Sequence, residues 1–214
     1  MRGSALAAAM LLAASAGGEI VDRIALTVGN EVITELEVRR QHACVAFLNL
    51  EPARFTGEAL RETAARMADQ VLILQEMKLS RYALPGPAEV EKSLARVIKE
   101  DFRGRPAFEA ALKQYGLREA DIRDLLLKQL AVVRFIELRF APGVQFSEQD
   151  VREYYEKEFV PALRKESQPV LPFPEVREQI TRILTVERAG SALDEWLAEA
   201  RKAGQIEIRE NVFR

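Results

Sequence analysis

The sequence predicts a mainly α-helical chain closed by one small antiparallel sheet. Three observations carry this. The long segments repeat apolar residues every three or four positions, as helices do. Strand-like alternation is confined to two short stretches, "EIVDRIALTVGNEVIT" (residues 19–34) and "QIEIREN" (residues 205–211). A two-stranded hairpin is only marginally stable and leaves its edges open, so the second stretch is the expected partner of the first.

The chain has 214 residues and a formal net charge of -2. It lacks the basic excess that marks a nucleic-acid footprint. The opening "MRGSALAAAMLLAASAGG" has a basic start at Arg2, an apolar run from Ala5 to Ala14 and small residues at Ala14 and Ala16. This pattern predicts a secretory signal over residues 1–16, cleaved before Gly17. The apolar run is too short to span a bilayer, and stable membrane insertion is not expected. Residues 17–160 then form the N-terminal helical part, residues 161–174 a linker, and residues 175–214 a closing helix and strand of the same domain.

The elements follow in order. Ile20, Ile24, Leu26 and Val28 share one strand face, Gly29-Asn30 makes the turn, and "EVIT" is the return strand. Thr34 caps a helix running to about Asn49, with Glu35 and Glu37 near its positive end. "EPARFTG" is a loop. A second helix covers roughly Glu58 to Tyr82, with Leu60, Ala64, Met67, Val71 and Leu74 on its core face. "ALPGP" stops it, and Pro87 opens the next helix, with Val90, Leu94 and Val97 on one side. A short helix carrying Phe108, Leu112 and Tyr115 ends at Gly116. The helix after it, with Ile122, Leu126, Leu130, Val133 and Ile136, is apolar over so much of its surface that it should pack on several neighbours. Ser147 and Asp150 form a capping box. "VPALRKESQPVLPFP" holds four of the nine prolines and reads as a linker without regular structure. The last helix begins near Glu175, with an interruption expected at Gly190-Ser191, and ends at Gly204.

Catalytic apparatus is sparse. His42 is the single histidine and Cys44 the single cysteine; Cys44 lies in an apolar helical stretch and reads as a small buried hydrophobe. No Cys/His cluster has zinc spacing, and no glycine-rich phosphate loop follows a strand. No cofactor, metal or nucleotide is expected. The better lead is adaptable apolar surface. Met67, Met77, Tyr82, Phe102, Phe108 and Tyr115 are candidates to line a peptide-binding groove, because methionines and aromatics on short helices adapt to varied segments. Each is otherwise an ordinary core residue.

The order of these blocks resembles SurA-type periplasmic chaperones. "EIVDRIALTVGNEVIT" resembles that family's opening hairpin. "LRETAARMADQVLILQEMKLSRYAL" is similar to its second helix, and "FEAALKQYGLREADIRDLLLKQLAVVRFIELRF" to its short and central helices. "PEVREQITRILTVERAGSALDEWLAEARKAGQIEIREN" resembles its closing helix and strand. The resemblance implies an ATP-independent envelope chaperone whose partners are unfolded outer-membrane or secreted polypeptides; self-association into a homodimer is left open. Longer family members carry parvulin-type prolyl isomerase domains before the closing helix. Here only Val160 to Pro174 stands in that place, so the isomerase activity is not carried over. An envelope adaptor with one dedicated partner and an isomerase-associated protein are the alternatives.

Overall fold

The computed structural model describes residues 22–165 and 167–213. The expected signal segment, and Ile20 of the first strand face, lie outside the described residues.

The hairpin forms as its turn chemistry requires. Strand β1 (Ile24–Val28) pairs antiparallel with β2 (Glu31–Thr34) across a two-residue loop. Gly29 takes a φ of 57°, open to glycine without a Cβ penalty. A bulge between Ile24 and Leu26 shifts the register near the start of β1. Strand β3 (Ile206–Ile208) then pairs antiparallel with the other edge of β1, giving the order β2-β1-β3. Gly29 N–H donates to the Gln205 carbonyl at 3.4 Å and Arg209 N–H to that of Ala25 at 2.8 Å, lengthening this pairing at both ends. The expected clasp between the two strand stretches is therefore present.

Helix α1 (Glu35–Leu48) starts in a complete capping box. Glu37 N–H donates to Thr34 Oγ1 at 3.3 Å, and Thr34 N–H to Glu37 Oε2 at 2.8 Å. The helical body continues with α2 (Gly57–Leu79), α3 (Pro87–Glu100), α4 (Arg105–Tyr115) and α5 (Glu119–Arg139). Helix α5 packs on α1, α2, α3 and the long helix near the C-terminus, as its broad apolar coverage predicts. One core cluster joins α1, α3, α4 and α5 around Phe47, Phe108, Ile122 and Leu125. A second sets Leu26, Val28 and Val38 against Leu60, Ala64, Met67 and the C-terminal Val212 and Phe213.

Two segments differ from the sequence reading. The proline-rich stretch does not begin as irregular chain: α6 (Glu148–Tyr154) passes through a π-helical segment, Tyr155–Phe159, into α7 (Val160–Lys165). Pro161 has no N–H for the Lys157 carbonyl and its ring crowds that group. The wider π turn immediately before it, where Val160 N–H bonds to the Tyr155 carbonyl, accommodates the proline inside a helix. Helix α8 (Phe173–Ala203) runs without a break through Gly190-Ser191. A glycine costs a helix only about 1 kcal/mol, and Ser191 Oγ donates to the Glu187 carbonyl at 3.1 Å, bonding back onto its own turn.

Helix α8 spans two packing regions. Its first half covers Val151 with Phe173, Val176 and Ile180. Its second half brings Leu193, Trp196 and Leu197 onto Ile73, Met77, Ala131 and Phe135. Arg139 binds the second junction: its guanidinium carbon lies 5.7–5.8 Å from the Phe135, Phe140 and Trp196 ring centres, and its Nη1 pairs with Glu76 at 2.9 Å.

Candidate functional site: two apolar clefts

Four of the six groove candidates are core. Met77 and Phe108 are 0% exposed, and Met67 and Phe102 are buried as well. Met77 packs among Ile73, Ala131 and Phe135; Phe102 and Phe108 sit 5.4 Å apart edge-to-face beside Phe47. The helical period that brought these side chains to notice is the period of a core-facing stripe, and here the stripe is covered. Tyr82 and Tyr115 line the two open apolar clefts, and the buried Phe102 also lines the second of them.

The Tyr82 cleft, of about 690 Å³, lies along the end of α2. Val71, Leu74, Gln75 and Lys78 recur at helical spacing and give it one wall. Arg81, Tyr82 and Leu84 follow from the connection to α3, and Glu31 enters from β2. The end of α2 determines this arrangement. Ser80 is the cap, Arg81 N–H bonds to the Lys78 carbonyl at 3.3 Å and Tyr82 N–H to the Met77 carbonyl at 2.8 Å. This is the Schellman pattern, in which the residue after the cap takes the left-handed conformation. Arg81 has a φ of 56°. Tyr82 folds back over the helix end and its ring lies 6.3 Å from that of Phe135. Leu84, 53% exposed, is held open to solvent.

The Tyr115 cleft, of about 580 Å³, is bounded by the α1–α2 connection and α4. The end of α1 repeats the device. Leu50 N–H bonds to the Phe47 carbonyl and Glu51 N–H to the Ala46 carbonyl, with Leu50 at a φ of 57° and its side chain 58% exposed. Tyr115 OH donates to the Glu51 carbonyl at 2.7 Å and ties the connection to α4. Phe55, 47% exposed, stands on His42 edge-to-face at 5.5 Å, with Arg39 at 5.9 Å from its ring centre. His42 Nδ1 is 3.0 Å from Thr63 Oγ1, a helix-to-helix tie.

Sequence reasoning missed Leu50, Phe55 and Leu84. Their signal was available in another form: large apolar side chains inside "NLEPARFTG" and "ALPGP", where no helical or strand period gives them a core partner. Left-handed Leu50 and Arg81 had no such signal, since Gly and Asn are the usual occupants of that position. Helix α4 uses the usual one, Gly116 at a φ of 66°.

Burial, reinforced by the nearby negative charge of Asp121, pushes the Cys44 thiol up to about 12, so it stays protonated. Among the described residues no group of three or more His, Cys, Asp or Glu side chains is arranged to hold a metal ion, and no helix is long and apolar enough to cross a membrane. The clefts can bury apolar side chains.

No family model matches the chain. The chaperone SurA of Alkalilimnicola ehrlichii is 28% identical to it over 164 residues, covering 73% of this chain and 37% of the relative. The chain thus matches little more than a third of that relative's length, and the likeness supports a SurA-like relationship to a chaperone.

Proposed function

We propose that the chain is an ATP-independent chaperone that holds unfolded outer-membrane or secreted polypeptides in the periplasm. The carrying observation is the Tyr82 cleft, an open apolar groove held by a rigid helix end. The likeness to SurA supports the same reading. A secretory signal over residues 1–16 would take the chain to that compartment. The reading carries over no prolyl isomerase activity, because only residues 160–174 stand where the resemblance places a parvulin domain.

The energetics suit reversible holding. One apolar side chain fully buried gives about 1.5–3 kcal/mol, so a single cleft binds no tighter than roughly millimolar once ordering costs are counted. An unfolded chain that fills two clefts gains an effective concentration of roughly millimolar for the second contact. With each contact near millimolar, the second tightens holding only about twofold, so holding stays weak and its release needs no nucleotide.

Leu84→Asp and Phe55→Asp test this reading. Both side chains are about half exposed, so both variants should fold. The assay is suppression of aggregation of a urea-denatured porin on dilution. Each variant should need several-fold more protein for the same suppression, and the double variant more again. Full suppression by the double variant at the unmodified chain's dose would overturn the assignment. Met77→Ala and Phe108→Ala, at fully buried positions, should lower stability first.

A further inference from the structure

We infer that the Tyr82 cleft selects segments of unfolded polypeptide in which an acidic residue flanks an apolar one, through Lys78 and Arg81 at its rim. This deepens the proposed function and rests on it.

The charge pattern of α2 carries the argument. Its other cations are engaged: Arg61 with Glu210 at 3.7 Å and Arg66 with Glu62 at 3.6 Å. Glu76, the acidic residue nearest in sequence to Lys78, is taken by Arg139 and by Ser80 Oγ, each at 2.9 Å. Lys78 and Arg81 are left with no carboxylate of the described residues within 4.0 Å. Both line the cleft, where Glu31 is the single acidic residue against them. In a chain with a net charge of -2, two uncommitted cations over an apolar floor make a local positive field.

Arg81 supplies an independent observation. It occupies the left-handed position of the helix cap, where a non-glycine residue is strained. Glycine would close α2 without that strain. What arginine adds is a guanidinium beside Tyr82 and Leu84. An extended segment places side chains on one face roughly 7 Å apart and neighbouring ones on the other. A ligand can thus seat an apolar side chain on Val71, Leu74 and Leu84 while an adjacent carboxylate meets the rim.

The same strain makes the test clean, because Arg81→Gly should fold at least as well as the parent. Two fluorescent peptides are compared on the full chain: one with a central apolar pair flanked by Glu, the other identical with Gln for Glu. The parent should bind the Glu peptide about fivefold tighter at low salt, as two exposed ion pairs allow, and the preference should vanish near 1 M salt. Lys78→Gln with Arg81→Gly should erase the preference, so that the variant binds the two peptides alike. Equal binding of both peptides by the parent overturns the charge selectivity while the chaperone reading stands. A preference that survives in the double variant overturns its assignment to this cleft. Binding of neither peptide overturns both readings.

Discussion

Ending the chain at Gly204 removes β3 and the closing turn, and with them every contact that secures the second edge of β1. The loss can be worked from burial. Val212 and Phe213 are 3% and 2% exposed, and Ile206 and Ile208 are half-buried against the same core. Two buried side chains at about 1.5–3 kcal/mol each, and two half-buried ones at roughly 1 kcal/mol each, sum to about 5–8 kcal/mol. That is comparable with the whole stability of an ordinary domain, about 5–15 kcal/mol. For a chain of this size each kcal/mol moves the unfolding midpoint by about 2–4 °C, so the truncated protein should melt roughly 10–30 °C lower. Thermal unfolding followed by far-ultraviolet circular dichroism, on the full chain and the truncated one, measures this directly. Gly57→Ala is a one-atom version: a Cβ there would stand 2.2 Å from the Phe213 carbonyl oxygen, and backbone has no easy way to yield. A truncated chain that melts within about 2 °C of the parent would refute the clasp as a source of stability.

Three further outcomes are expected. Burial alone would raise the Glu35 carboxyl, but hydrogen bonds and charge from Arg39 and Arg23 outweigh it and hold the group below its ordinary value. Its contribution is therefore full above the usual carboxylate range and is lost as pH falls through the lowered folded value. Glu35→Gln should flatten that part of the acid limb in urea titrations from pH 7 to pH 3, and a limb as steep as the parent's would count against the pair. Arg139→Met keeps bulk but loses three ring contacts and the Glu76 pair, at a cost of about 1–2 kcal/mol. Its unfolding is read from the fluorescence of Trp196, the sole tryptophan, and an unchanged midpoint would contradict the assigned role. Cys44, buried and protonated, should resist thiol reagents at pH 8 in the native protein and react at once in denaturant; rapid native labelling would show that the core between α1 and α5 opens.

The fold was more legible than the site. Thr34, Gly29, Gly116 and Ser147 announce caps and turns through local chemistry that tertiary contacts do not override, and each stands where that chemistry puts it. The pairing of "QIEIREN" with the hairpin followed from the cost of an unpaired edge. Pro161 misled because its usual effect presumes α-helical register, and the chain changed register before reaching it. The site was harder for a reason visible in Met77 and Tyr82. They are five residues apart, both apolar-bodied and both at the end of α2, and periodicity treats them alike. The Schellman closure, which buries one and turns the other to the cleft, depends on a left-handed arginine that no propensity favours.

The closing contacts also set a timetable for synthesis. Arg23, beside β1, reaches with its guanidinium to the Val212 carbonyl, 189 residues away. At about 5–20 residues per second of synthesis, β1 waits roughly 10–40 s before the segment that covers its second edge exists. Through that interval a strand edge with apolar residues on one face stands ready to pair with any neighbour. For the length of its own making the chain therefore carries an open strand edge that only its last residues close.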